Sequence, residues 1–370
     1  MKTWVERLVD LAVQIQQIPA PTFEEEERAE FVRRQFLAAG LQEVGIDQAG
    51  NVLGRWPGEG PAGRPLVVSA HLDTVFPRST ELRVRRQGKR LYGPGLGDNS
   101  IGVAALLGLI WLLKERGIRL PGDLWLVANT GEEGLGDLRG MKAVVQHFGS
   151  QVIGYLVLEG MALGNVYHRG VAVHRYRVAV RTSGGHAWSD YGQPSAVHEL
   201  VKLASQMMAL PLPASPRTTL NIGRIEGGTS VNTLAAQAWM EIELRSEALK
   251  MLEGWLRAVE TLFEAARRPG VRVEAQTVGH RPGGEMPRSH PLIRLAVSCL
   301  QEQGIEPNLI GGSTDANLPL SLGLPALVMG VTTGGGAHTT KEFIEVEPIE
   351  QGMEALAAFV RGAFEVERSA

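Results

Sequence analysis

Three short apolar runs in this chain each end on an acid or an imidazole. Pro65 to Ala70 leads into His71 and Asp73, Asp123 to Thr130 into Glu132 and Glu133, and Tyr155 to Leu158 into Glu159. Runs of this length read as buried strands, and the longer apolar stretch Gly102 to Arg116 reads as a helix between the first two. Strands alternating with helices predict an α/β fold with a mostly parallel central sheet. In open sheets of that kind, ligands bind beyond the carboxyl ends of the strands. The acids and the imidazole are therefore placed to meet at one rim.

The rest of the chain supplies the surrounding layers. Trp4, Leu8, Leu11, Ile15 and Ile18 mark one face of an N-terminal helix, which Pro19 and Pro21 end. Thr22 and Glu25 have the spacing of a capping box that opens a second helix. Near Val171 the apolar period becomes two. Tyr176, Val178 and Val180 alternate with arginines, and Ala238, Met240, Ile242 and Leu244 alternate with Trp239, Glu241, Glu243 and Arg245. Such alternation predicts an antiparallel sheet with one wet face. Helical runs Ala196 to Leu210 and Ala248 to Arg267 accompany it. Residues 173–277 thus read as an inserted α+β domain, and 1–172 with 278–370 as one discontinuous α/β domain. The α/β pattern resumes near Pro291, with a strand at Pro325 to Gly330 and a last helix opened by Pro348.

Charge narrows the partners. With 37 basic and 40 acidic residues the net charge is -3, which gives no electrostatic reason to bind nucleic acid or a membrane surface. Cys299 is the single cysteine, reads as helix interior, and cannot form an internal disulfide, which fits a reducing compartment. The opening Met1 to Glu6 turns acidic too early for a signal peptide, and the most apolar stretch, Val103 to Leu113, is shorter than the ~20 residues of a membrane span. A cytoplasmic protein is expected.

Two further residues join the rim set. Asp98 lies in the glycine-dense loop Gly93 to Ser100, and His338 follows Gly334-Gly335-Gly336-Ala337. Singly, each of these residues has an ordinary structural reading: a satisfied loop pair, a solvated acidic step, a tight turn. Together they offer three carboxylates (Asp98, Glu133, Glu159) and two imidazoles (His71, His338). That donor set suits zinc, cobalt or manganese, and the absence of thiolate argues against a structural zinc cage. A pair of such ions lowers the pKa of water and polarises a carbonyl. Glu132 could then take the proton, and Asp73 could accept the second ring N–H of His71. The glycine loop lacks the G-x-G-x-x-G spacing of a dinucleotide site.

With these residues in hand, the chain resembles the M20 family of metallopeptidases and amidohydrolases over nearly its whole length. Ser69 to Val75 is similar to the family's first metal motif, Gly95 to Asn99 to the segment of the bridging aspartate, and Thr130 to Gly134 to the base-plus-ligand pair. The resemblance implies that His71 and Glu159 bind one ion, that Glu133 and His338 bind the other, and that Asp98 bridges them before a peptide bond that is often cis. It implies Glu132 as general base and the inserted domain as a lid that usually also forms a homodimer. Ser183 to Ala187 resembles the motif whose histidine, here His186, stabilises an oxyanion, commonly from the partner subunit. Asn221, Asn232 and Arg245 resemble lid positions that meet substrate, and Gly312 to Asn317 resembles a segment near the site.

The chain also departs from the family pattern. Asp98-Asn99-Ser100 replaces the Asp-Met-Lys common in deacetylases and looks more like the tripeptide-aminopeptidase side. The segment after His186 reads Trp188-Ser189-Asp190, without the usual proline. Glu159 is more typical of deacylases and carboxypeptidases. Three readings stand: a peptidase acting on small peptides, a deacylase of N-acyl amino acids, and a metal-binding protein without catalysis.

Overall fold

A computed structural model describes residues 3–60 and 63–369; Met1 and Lys2, which open the N-terminal reading, lie outside them. Four apolar strands form the middle of a nine-stranded sheet. In spatial order they are Leu124–Asn129, Leu66–His71, Gly154–Glu159 and Ala326–Gly330, and each neighbouring pair is parallel. Parallel strands need both faces covered, and these read as continuous hydrophobic runs. Leu66–His71 is accordingly buried at every position. Because the four strands share a direction, Asn129, His71, Glu159 and Gly330 all finish at one rim. Antiparallel strands Gln42–Ile46 and Val52–Trp56 extend the sheet on one side, and Asn165–Gly170 on the other. The mixed fold and its mostly parallel centre are those the sequence predicts.

Helices Trp4–Gln16, Ile101–Glu115, Pro291–Glu302 and Ile349–Ser369 contribute to the large apolar core around this sheet. Leu96–Glu115 is long and apolar enough to cross a membrane by composition, yet 89% of that window is buried within the protein. It is longer than the Val103 to Leu113 run that the sequence marks, because the glycine loop continues into the helix. Cys299 is buried, as expected, and burial pushes its thiol up to about 12.

The capping box falls elsewhere than predicted. Thr3 and Glu6 make one at the first helix. The second helix, Glu26–Ala38, has no side-chain cap. Thr22 instead donates to the Asp73 carboxylate at 2.9 Å, and Glu25 accepts from Gly131 N–H at 3.0 Å. The buried rim loops carry main-chain and side-chain groups that must be paired, and they draw these two side chains away from their own helix.

The chain divides into two compact units, Met1–Gly170 with Gly284–Ala370, and Val171–Gly283. The joins fall at 170/171 and 283/284, where the sequence predicts 172/173 and 277/278. The second unit is a four-stranded antiparallel sheet, ordered Thr218–Gly227, Gln237–Ser246, Ala172–Arg181, Arg272–Arg281. Val178, Val180, Met240, Ile242 and Leu244 pack with Leu200, Leu203 and Phe263 of its two helices, Ala196–Met208 and Leu249–Ala266. On the other face Arg175 pairs with Glu243 at 2.8 Å and Arg177 with Glu241 at 3.1 Å.

Candidate metal centre

Five side chains from five separated segments meet at the rim. His71 and Glu159 end their strands; Glu133, Asp98 and His338 come from loops. His71 Nε2 lies 3.1 Å from Asp98 Oδ1 and 3.7 Å from Glu159 Oε2. His338 Nε2 lies 3.2 Å from Asp98 Oδ2 and 3.1 Å from Glu133 Oε1. The residues thus form two groups, each with donor atoms within 4.8 Å of one another, and Asp98 belongs to both. One of its oxygens faces each imidazole.

Backbone geometry serves this arrangement. The Asp98–Asn99 peptide is cis, as the resemblance implies. Asn99 Nδ2 donates to Leu158 O at 2.8 Å and Gly160 N–H donates to Asn99 Oδ1 at 2.9 Å, so one amide brackets Glu159 from both sides. A Cβ at residue 102 would fall 2.0 Å from Asn99 Oδ1, which requires Gly102.

The supporting carboxylates differ from expectation. His71 Nδ1 sits 3.0 Å from the main-chain oxygen of Asp73 and 3.6 Å from its carboxylate. The carboxylate is engaged elsewhere: Oδ1 accepts from Glu132 N–H at 3.0 Å and Oδ2 from Glu133 N–H at 2.9 Å. With Glu25 on Gly131 N–H, three successive N–H groups of the Glu132–Glu133 turn each rest on a carboxylate. The Asp98 loop is held in the same way. Glu342, fully buried, accepts from the N–H groups of Gly95, Gly97 and Asp98 at 2.9, 2.6 and 2.9 Å. Asp315, in the Gly312 to Asn317 segment, is also fully buried and accepts from Asn129 Nδ2 at 2.7 Å.

Charge at the rim is unbalanced. Burial pushes Glu159 up to about 7 against the pull of His71. Glu133 is raised by burial, which outweighs the pull of His338, and by Glu132 and Asp98. Asp98 resists its own burial because His338 and His71 hold it well below the usual carboxylate range. Hydrogen bonds to Asp98 and Glu133 lift His338 to about 10. His71, although buried, is raised by Asp73, Asp98 and Glu159. The protein's own atoms thus leave the cluster crowded with acids that call for positive charge. Three carboxylates and two imidazoles without thiolate are the donors that two divalent ions take.

The remaining candidates lie in the second unit. His186 forms a short strand pair with Thr233. Its Nδ1 accepts from the N–H groups of Trp188 and Ser189 at 3.2 and 3.3 Å, so a neutral ring carries its proton on Nε2. Asn232 accepts Ala187 N–H through its main chain at 3.0 Å, and Asn221 lies opposite Glu243. The fork of Arg245, expected to meet a substrate carboxylate, is filled by Glu243 of the same strand at 2.6 and 3.1 Å.

Sequence reading missed Glu25, Asn99 and Glu342 as parts of the site. Asn99 stands beside Asp98 in the glycine loop and Glu342 four residues beyond His338, while Glu25 is far along the chain from the turn it holds.

Comparison with known proteins agrees with this geometry. The model of peptidase family M20/M25/M40 matches residues 67–362. YqjE of Bacillus subtilis, an uncharacterised protein, is 25% identical over 96% of this chain and 98% of its own. Carboxypeptidase G2 of a Pseudomonas species is 24% identical, covering 90% of this chain and 81% of the relative. A tripeptidase structure from Staphylococcus aureus superposes with a TM-score of 0.82 at 21% identity, covering 98% of this chain and 99% of that one. The match across most of the chain, together with the motifs at the rim, shows that this protein belongs to peptidase family M20/M25/M40 and is a hydrolase of the M20 type.

Proposed function

We propose that this protein is a dinuclear metallopeptidase that cleaves the amide bond of small peptides. The observation that carries the reading is Asp98, whose two oxygens each face a different imidazole. His71 and Glu159 would hold one ion, Glu133 and His338 the other, and Asp98 both. When bound, two ions of the zinc, cobalt or manganese type make water more acidic and polarise a substrate carbonyl.

The chain's own residues supply the rest. Glu132 takes the proton of the attacking water and passes it to the leaving nitrogen; its position is fixed because its N–H rests on Asp73 Oδ1. Asp73 acts by holding that turn. His186 donates from Nε2 to the oxygen on which charge develops, a role we assign to it from the partner subunit of a homodimer formed through the second unit. Asn221, Asn232 and Arg245 are proposed to meet substrate, which requires the Arg245 fork to exchange Glu243 for a substrate carboxylate. The buried apolar helix and the single buried cysteine suit a cytoplasmic enzyme.

A second reading, hydrolysis of N-acyl amino acids, is favoured by one residue. Glu159 stands where deacylases and carboxypeptidases typically carry glutamate. The metal-loaded enzyme assayed on dipeptides, tripeptides and N-acetyl amino acids separates the two. Peptide turnover is expected to dominate; deacetylation without any peptide cleavage would reverse the order.

A further inference from the structure

Glu342 and His338 belong to one tight turn. Thr339 N–H and Oγ1 both donate to Gly336 O, at 3.1 and 2.7 Å, and Glu342 N–H donates to Thr339 O at 3.1 Å. The turn grips the Asp98 loop at both levels of structure. Glu342 O accepts from Gly93 N–H at 3.0 Å, and the Glu342 carboxylate accepts from Gly95, Gly97 and Asp98 N–H. His338 Nε2 meets the Asp98 side chain at 3.2 Å. Asp98 is therefore held by its main chain and by its carboxylate from the same five-residue span.

The two candidate ligand groups depend on this grip unequally. His71 ends a fully buried strand, and Glu159 is bracketed by the Asn99 amide. Neither strand end touches Glu342 directly, although Asn99 follows Asp98 in the loop that Glu342 holds. The His338 ring, by contrast, is about half exposed and extends from a loop, which main-chain pairing at Gly93 and Tyr92 and the buried Glu342 carboxylate together tie to the Asp98 loop.

We propose that Glu342 is a positioning residue that sets His338 in register with Asp98, and thereby secures the ion of the Asp98–Glu133–His338 group over that of the His71–Asp98–Glu159 group. The proposal rests on the dinuclear reading above. Removing the carboxylate leaves buried N–H groups without their acceptor, so the loop shifts to repair them and carries Asp98 away from His338. Residues that orient metal ligands typically change metal affinity by about tenfold to a hundredfold when lost.

The test is a cobalt(II) titration of the metal-free full-length chain, read by visible absorption and equilibrium dialysis. Wild type is expected to take two equivalents and His338→Ala one. Glu342→Gln keeps one acceptor oxygen but turns an NH2 toward the donors. It should bind its first equivalent within about threefold of wild type and its second about tenfold or more weakly, with activity restored by excess ion. Two equivalents bound as in wild type would overturn the role of Glu342, and so would equal weakening of both. A wild type that takes fewer than two, or a His338→Ala that keeps both, would instead bring down the dinuclear reading and the proposal with it. If Glu342→Gln does not fold by circular dichroism, Glu342→Asp, one methylene short, is titrated against the same criteria.

Discussion

Glu132 and Asp315 are both buried acids near the rim, yet they answer to different tests. Glu132→Gln keeps the main-chain N–H that rests on Asp73, so the turn and the metal content should be unchanged while kcat falls by about 10²–10⁴-fold, the usual size of a lost general base. Steady-state kinetics alongside metal analysis checks both halves. Asp315 is raised well above its ordinary value by burial and by Glu132. A raised acid binds more protons folded than unfolded, so the stability it lends is present near pH 4 and is lost as pH rises toward its folded value. In metal-free protein, Asp315→Asn should therefore lose less stability than wild type between pH 5 and pH 8, as urea unfolding at several pH values would read. Asp315→Leu strands the Asn129 amide and should cost about 1–3 kcal/mol near pH 5, a cost that shrinks toward pH 8 as wild type loses the stability lent by protonated Asp315.

At the scale of elements, the loop and helix around the cis peptide are bound by one close contact. Gly102→Ala would drive its Cβ into Asn99 Oδ1 and displace the amide that brackets Glu159. Overpacking of this kind costs about 1–3 kcal/mol. We expect a lower urea midpoint together with weaker binding at the His71 group, checked by unfolding and cobalt titration on the same variant. The strands themselves were legible because apolar runs ended by acids have one economical place in a parallel sheet, at its carboxyl rim. His71, Glu133 and Glu159 stood out for the same reason, whereas Asp98 and His338, in glycine-rich loops, stood out by motif resemblance. What escaped was nonlocal pairing. Thr22 and Glu25 have the spacing of a helix cap, but their partners, Asp73 and Gly131, lie about 50 and 106 residues on. Asp73 looked like the partner of the His71 ring, whereas its carboxylate holds the next loop. Arg245 looked free to meet substrate, whereas Glu243, two residues earlier on the same face, fills its fork.

Among the described residues each unit has its own apolar core, and the candidate ligands lie in the larger unit. An ion bound to the folded state alone stabilises it by about 4 kcal/mol at a thousandfold excess over Kd. Chelation should therefore lower the melting of the larger unit by several degrees and leave the transition of the smaller one in place, as differential scanning calorimetry would resolve. An unchanged upper and lower transition would mean that the cluster takes no ion. A dinuclear centre here requires that Asp98 be shared. Anomalous diffraction from crystals grown with zinc tests this most directly. Two peaks are expected, one among His71, Asp98 and Glu159 and one among Asp98, Glu133 and His338, with one Asp98 oxygen on each. A single peak, or two peaks that Asp98 does not join, would contradict it.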